Sequence, residues 1–202
     1  MVRRDIAGRG IRDPRVLAAM EKIPRERFVG AAGRELAYAD HPLGIGCGQT
    51  ISQPYIVALM TEMLELCGGE RVLEVGTGSG YQAAVLAELA AEVLSVERHA
   101  GLSESAGRLL AELGYRNVRL RVGDGTLGWP EQAPFEAIIV TAAAPAVPPS
   151  LKGQLADGGR LVIPVGGGFG QQLLGVRRQG DGFRETPGIP CVFVPLVGEE
   201  GY

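Results

Sequence analysis

Residues 72–81, Val-Leu-Glu-Val-Gly-Thr-Gly-Ser-Gly-Tyr, run from a short apolar segment into a turn carrying three glycines. Arg71–Val75 reads as a strand and Gly80–Leu89, rich in Ala and Leu, as the helix behind it. Glycines at such a junction let the backbone turn tightly and approach a ligand closely. The start of the helix offers free N–H groups. Spacing discriminates between ligands. Gly76, Gly78 and Gly80 follow G-x-G-x-G, and Tyr81 stands where the dinucleotide fingerprint needs its third glycine. No Gly-Lys-Ser/Thr is present there, which excludes a P-loop. With Glu74 before it, the turn suits a nucleoside ligand without a pyrophosphate.

Outward from the turn, the chain alternates. Strands are expected over Glu92–Val96, Val118–Val122, Phe135–Val140 and Arg160–Val165, with helices over Leu102–Leu113 and Pro149–Leu155. Strands alternating with helices mean a mostly parallel sheet. Leu173–Arg178, the turn Gly180–Gly182 and Cys191–Val197 read as antiparallel additions. Upstream, Asp13-Pro14 opens a helix to about Lys22. Arg34–Gln53 is polar and Gly-rich, a long loop of the kind that is often functional. Pro54 opens a helix with Ile56, Val57, Met60, Met63 and Leu64 on one face, stopped by Gly68-Gly69. The expected architecture is a doubly wound α/β fold with an N-terminal helical extension. It forms one domain over 1–202: extension and loop 1–53, ligand-binding core 54–166, and C-terminal strands 167–202.

Composition narrows the classes. The chain has 202 residues, 46% apolar and 21% charged, with net charge −3. That balance excludes a disordered chain and argues against a nucleic-acid binder working by bulk charge. No run of 18 apolar residues suggests a membrane span, and Met1–Asp5 lacks an apolar signal region. Cys47, Cys67 and Cys191 form no CxxC, so neither a disulfide framework nor a zinc site is expected. A cytoplasmic location and a monomer fit these features. Residues 1–34 hold nine Arg/Lys against four Asp/Glu, which reads as a solvated helix face.

Ligands in such sheets bind beyond the carboxyl ends of the strands. Gly76, Thr77, Gly78, Ser79, Gly80, Glu97, Asp124, Gly125 and Thr141 all map there. Glu97 ends the second strand, 21 residues after Gly76, where a carboxylate can hydrogen-bond ribose hydroxyls. Asp124 ends the third strand and could reach a base. His99 reads as surface, Cys191 as core and Trp129 as a packing aromatic.

Segment 72–81, with Ser95-Val-Glu-Arg98, resembles class I S-adenosylmethionine methyltransferases. The likeness narrows with Gly48-Gln-Thr-Ile-Ser-Gln-Pro-Tyr55, Gly76-Thr-Gly-Ser-Gly-Tyr-Gln82, Gly123-Asp-Gly125 with Gly128-Trp-Pro130, and Ala137-Ile-Ile-Val-Thr-Ala-Ala-Ala-Pro145. Together these are similar to the protein-L-isoaspartate O-methyltransferases, from about Arg12 to Val197. The resemblance implies a Rossmann-like methyltransferase sheet binding S-adenosylmethionine, with S-adenosylhomocysteine as product. It also implies methyl transfer to isoaspartyl carboxylates of damaged proteins and peptides, and gives the active-site hydroxyl to Ser52. Thr50, Ile51, Gln53, Val194 and Val197 are then expected to contact the peptide, the last two from the strand Val192–Val197. Two departures stand out: Glu136, read as an exposed strand-edge change from Asp, and Cys47 before Gly-Gln-Thr.

The chemistry is consistent with the residues. A carboxylate attacking a sulfonium methyl is already ionised at neutral pH and needs no general base. It needs in-line positioning in a dry site. Thr50, Ser52 and Gln53 can hold it, although Ser52 is equally placed to cap the helix at Pro54. A nucleic-acid amino-methyltransferase should carry Asn/Asp-Pro-Pro-aromatic after the fourth strand; Thr141–Pro145 does not. A small-molecule methyltransferase and a cofactor-binding module without activity remain the other readings, and a dehydrogenase is disfavoured by glycine spacing.

Overall fold

The computed structural model describes residues 1–167 and 170–202, without the side chain of Ala32. Short helical turns over Val2–Ile6 and Ala7–Arg9 lead into helix α1, Pro14–Lys22. Asp13 caps α1 by accepting from Arg15 N at 2.8 Å, and Pro14 fills the first helical position. Two further turns, Arg25–Phe28 and Ala31–Leu36, precede a hairpin of β1 (Leu43–Gly46) and β2 (Gln49–Ile51). The expected loop at 34–53 is therefore partly ordered as antiparallel sheet. Its turn, Cys47-Gly48, has positive φ at both residues (51° and 69°), the geometry a tight hairpin demands.

Helix α2 is Pro54–Met63, and it ends before Gly68-Gly69, because Glu65 already turns left-handed at φ 49°. Then come β3 (Arg71–Val75), α3 (Tyr81–Ala87), β4 (Glu92–Glu97), α4 (Ala100–Glu112), β5 (Val118–Val122), β6 (Phe135–Val140) and α5 (Pro149–Gly153). The sheet closes with β7 (Leu155–Gly167), β8 (Gly170–Gln179) and β9 (Gly182–Cys191).

Sheet order is β5-β4-β3-β6-β7-β8-β9. The pairs from β5 to β7 are parallel, and β7-β8-β9 are antiparallel. Order reverses beside β3, so the ends of β3, β4 and β6 open onto one crevice. One sheet face packs against α1, α2 and α3 through residues such as Met20, Met60 and Leu86. Leu73, Val140, Leu151 and Leu196 pack on the other.

Two expectations at the C-terminal end are corrected. β7 begins at Leu155, inside the segment read as the end of a helix. The last strand runs straight out of the 180–182 turn as Gly182–Cys191, rather than over 191–197. Pro187 and Pro190 hide it in sequence, yet an edge strand tolerates proline because one side needs no ladder. Val192–Val197 is instead an extended tail with one bridge, Pro195 to Ala143. The Gln171 side chain holds it, accepting from Phe193 N at 2.6 Å and donating to Phe193 O at 3.0 Å.

Candidate active site

The glycine turn leaves β3 with positive φ at Gly76 (95°) and Gly78 (54°). At Gly76 the absence of a side chain is required twice. The conformation disfavours a Cβ, and the Thr141 hydroxyl occupies the space one would fill while donating to Gly76 O at 2.7 Å. At Gly78 the backbone N–H donates to Glu97 Oε2 at 2.9 Å, and Glu97 Oε1 accepts from His99 N at 2.9 Å. Both oxygens of this carboxylate are thus anchored, and it is held, only 5% exposed, where β4 meets the crevice. His99 is half-buried with Nε2 unpartnered, not a surface residue.

Beneath the turn lies a polar column. Thr77 Oγ1 and Ser95 Oγ share a hydrogen bond of 2.5 Å, and Ser95 Oγ donates to Glu74 Oε2. Glu74 is fully buried, and burial, helped by the nearby Glu97 charge, pushes its pKa up to about 8 against the Ser95 hydrogen bond. Burial therefore favours its protonated form at neutral pH. Glu74 supports the turn from below and does not line the crevice, so the structure does not bring it to the ligand-facing residues.

The crevice is lined by Val75, Gly76, Gly78 and Val96–Arg98, by Thr141, Ala142 and 194–197, and by Gln49 and Thr50. Gly125 reaches it, but Asp124 does not line it. Asp124 accepts from Thr126 N, the Thr126 hydroxyl and Glu199 N at 2.7–2.9 Å. Although burial works the other way, those bonds hold its carboxyl below the usual range. Its work is to tie residues 198–199 to the sheet. Thr77 and Ser79 border a smaller hollow that connects the turn to Thr50 and Ser52. Gly80, φ 86°, sits against α4 instead.

A nucleoside ligand fits this donor set. An anchored carboxylate faces the crevice, the backbone at Gly78 is bare apart from Ile45 Cδ1, and Val96, Ala142 and Leu196 offer an apolar slot. Among the described residues no cluster of His, Cys, Asp or Glu could hold a metal.

A second hollow of about 600 Å³ adjoins the first. Thr50, Ser52, Gln53, Tyr55 and Ile56 form one bank, and Ile189–Val194 the other. Thr50 and Val194 line both hollows, which therefore meet there. The structure separates some expected peptide contacts. Ile51 is buried, 3% exposed, and anchors β2. Val197 lines the crevice and not the groove. Cys191 is half-buried on the groove wall rather than in the core. Ser52 does not cap α2; the cap position is Gln53, with no side-chain bond. The cap comes from afar: Asp40 Oδ1 accepts from Tyr55 N at 3.1 Å. Asp40 also accepts from Gln53 Nε2 at 2.8 Å and pairs with Arg9 at 2.7 Å, whose guanidinium lies 3.6 Å over the Tyr55 ring.

Asp40, Arg9, Gln171 and Arg25 escaped the sequence reading. None sits in a motif, and Arg25 is indistinguishable from the solvated arginines around it, yet it is 0% exposed. Glu136 is likewise not a free edge residue, since it accepts from Arg71 N at 2.8 Å and fixes the start of β3. Trp129 packs against the second core as expected, with the Arg119 and Arg121 guanidiniums over its ring.

Known proteins are similar over the whole chain. The family model described as protein-L-isoaspartate(D-aspartate) O-methyltransferase matches residues 1–201. Protein-L-isoaspartate O-methyltransferase 2 of Pelobacter propionicus is 60% identical, covering 100% of this chain and 91% of its own. The protein-L-isoaspartate O-methyltransferase of Trichlorobacter lovleyi is 56% identical, covering 100% and 94%. A solved protein-L-isoaspartate O-methyltransferase superposes with TM-score 0.89 at 32% identity, over 96% of this chain and 64% of that one. A Plasmodium falciparum structure described as a protein-L-isoaspartate O-methyltransferase, in complex with S-adenosyl-L-homocysteine, gives 0.84 at 25% identity, over 97% and 96%.

Proposed function

The chain belongs to the protein-L-isoaspartate(D-aspartate) O-methyltransferase family, and we propose that its two hollows divide the reaction, the crevice holding the methyl donor and the groove the damaged peptide. The protein is an S-adenosylmethionine-dependent methyltransferase acting on L-isoaspartyl residues. When bound, S-adenosylmethionine supplies a methyl group on a sulfonium centre and leaves as S-adenosylhomocysteine.

The observation that carries the division is the junction: among the described residues Thr50 and Val194 alone line both hollows, and Ser52 stands beside them on the groove side. Glu97 accepts from the ribose hydroxyls, and the backbone of 76–78 takes the amino-acid end of the donor. Val96 and Leu196 flank the base. On the acceptor side, the Ser52 and Thr50 hydroxyls donate to the isoaspartyl carboxylate. No side chain removes a proton, because the carboxylate is ionised at neutral pH. The residues supply alignment, and the apolar bank at Ile189–Val194 keeps water away, where cancellation of charge is favoured.

An isoaspartyl residue carries its free carboxylate on the α-carbon while the chain continues through the side-chain carbonyl. A groove that holds the backbone against 192–194 therefore senses where the carboxylate falls. Misplacement by about 1 Å costs ~10²-fold, so ordinary aspartyl peptides are poor acceptors. The ester then cyclises to a succinimide, methoxide being a better leaving group than oxide, and hydrolysis returns some normal aspartate. We place this repair in the cytoplasm and read the enzyme as a monomer without nucleic-acid or membrane partners. The net charge of −3 and the three free cysteines support that reading. No helix among the described residues is long and apolar enough to cross a membrane.

The test is label transfer from methyl-labelled S-adenosylmethionine to an isoaspartyl peptide beside its aspartyl twin. Strong preference for the isoaspartyl peptide is expected. Equal labelling would contradict the assignment of the groove.

A further inference from the structure

Arg25 is the largest fully buried side chain outside the crevice, and it is charged. Its hydrogen bonds go to main-chain carbonyls rather than to carboxylates: Nε donates to Ala37 O at 2.8 Å, and Nη2 donates to Ser52 O at 2.7 Å. Nη1 has no partner. The guanidinium carbon sits 4.6 Å from the centre of the Tyr81 ring. A buried cation without a counter-ion is expensive to keep in a core. A role confined to filling space would be met more cheaply by an apolar side chain of similar volume.

The three contacts join three pieces of chain. Ala37 belongs to the segment before the β1–β2 hairpin. Ser52 belongs to the acceptor-side link between β2 and α2. Tyr81 is the first residue of α3, directly behind the glycine turn, and it lines the small hollow between turn and link. One rigid planar fork thus spans from the donor-side turn to the acceptor-side link. Its planarity matters, because a guanidinium sets two donors at a fixed angle while a lysine ammonium does not.

We propose that Arg25 is a positioning residue for methyl transfer: it fixes the Ser52 carbonyl relative to α3, and so sets the Ser52 hydroxyl at the distance from the donor crevice that in-line attack requires. The inference rests on the acceptor role given to Ser52 above. Arg25 touches neither hollow, so it acts only through Ser52 and its link. Loss of the fork leaves the crevice intact and lets the link drift.

The experiment is a double-mutant cycle of Arg25→Lys with Ser52→Ala. Each protein is checked for folding by thermal unfolding, for cofactor affinity by calorimetric titration, and for kcat and KM on an isoaspartyl peptide at saturating S-adenosylmethionine. Arg25→Lys is expected to lower kcat about tenfold to a hundredfold with S-adenosylhomocysteine affinity unchanged. In the double variant the loss should fall well short of the product of the single losses, because both act on one group. Should the Lys variant not fold, Arg25→Gln, uncharged and nearly as long, carries the same cycle; failure of both to fold would make Arg25 a folding residue and overturn the proposal. Unchanged kcat in folded Arg25→Lys, losses that multiply independently, or a parallel fall in cofactor affinity would overturn it too. If Ser52→Ala alone turns over at the full rate, the acceptor role of Ser52 fails first, whatever Arg25 does.

Discussion

The donor crevice and the acceptor groove are adjacent, but they are built differently. The crevice is made chiefly at the ends of the neighbouring strands β3, β4 and β6, closed by the tail 194–197 and by Gln49 and Thr50. The core of it is set by backbone, Gly76 N donating to Val96 O and Thr141 N to Val75 O, with Gly78 N donating to the Glu97 carboxylate. The groove is assembled from more distant pieces: β9 supplies one bank through its ladder, and single side chains fix much of the rest. Asp40 reaches Tyr55, Arg25 reaches Ser52, and Gln171 reaches Phe193. Backbone-fixed sites resist change except where a side chain would enter the turn. Side-chain-fixed sites fail when one anchor is removed. The donor is invariant and the acceptor peptide varies, so a rigid crevice beside an adjustable groove suits the reaction.

The largest effect should come from the crevice. Gly76→Val places a branched side chain in a left-handed backbone and against the Thr141 hydroxyl. Strain of about 1–3 kcal/mol adds to the lost hydrogen bond, and calorimetry should show no saturable binding of S-adenosylhomocysteine. Binding at full strength would mean that the turn is looser than it is drawn.

Asp40→Ala should act only on the groove. It removes the remote cap of α2 and frees the Gln53 amide, so kcat/KM for an isoaspartyl peptide should fall roughly 10²-fold while cofactor affinity holds. Loss of cofactor binding to the same degree would erase the distinction between the two regions. Glu97→Ala is the mirror image. Cofactor affinity should weaken by about 1.5–3 kcal/mol, the range for hydrogen bonds to a charged group, with KM for the peptide little changed.

Sequence carried the two regions unequally. The glycine spacing, Glu97 and the strand alternation are local patterns, and each corresponds to a backbone feature seen in the fold. Glu74 was found but misplaced, since a residue in alternation on a strand cannot announce that it points beneath the turn. Asp124 lay at the expected strand end, yet one of its oxygens goes to the tail 75 residues later and the other to Thr126. On the acceptor side the motif Gly48–Tyr55 gave Ser52 and Thr50 through family likeness. Their supports were silent, because an arginine at 25 that meets a carbonyl at 52 leaves no periodicity. The tail 192–197 looked like a strand because it is apolar, but it follows β9 and is held by the Gln171 side chain and by a single bridge to Ala143.

The smallest expected effect on methyl transfer concerns the column below the turn, which acts on stability instead. Glu74 keeps its proton in the fold up to about pH 8 but ionises near 4.5 when the chain unfolds. Between those values the folded state holds the extra proton, so this group's contribution to stability is full below about pH 4.5 and is lost as pH rises toward 8. Glu74→Gln retains a partner for Ser95 and should flatten that decline. Melting temperatures of the two proteins should diverge by roughly ten degrees across pH 5, 6.5 and 8, since a pKa raised from 4.5 to about 8 is worth ~3–4 kcal/mol over that interval and ~1 kcal/mol shifts a chain of this size by about 2–4 °C. Parallel curves would show that Glu74 is already ionised in the fold.

The separation of donor and acceptor regions is tested most directly at Ser52, the acceptor-side hydroxyl beside the junction of the two hollows. Ser52→Ala, measured for cofactor affinity by calorimetry and for methyl transfer to an isoaspartyl peptide, should lose about tenfold to a few hundredfold in turnover with its S-adenosylhomocysteine affinity and melting temperature unchanged. Full turnover, or a loss of cofactor affinity in step with the loss of turnover, would contradict the division between crevice and groove.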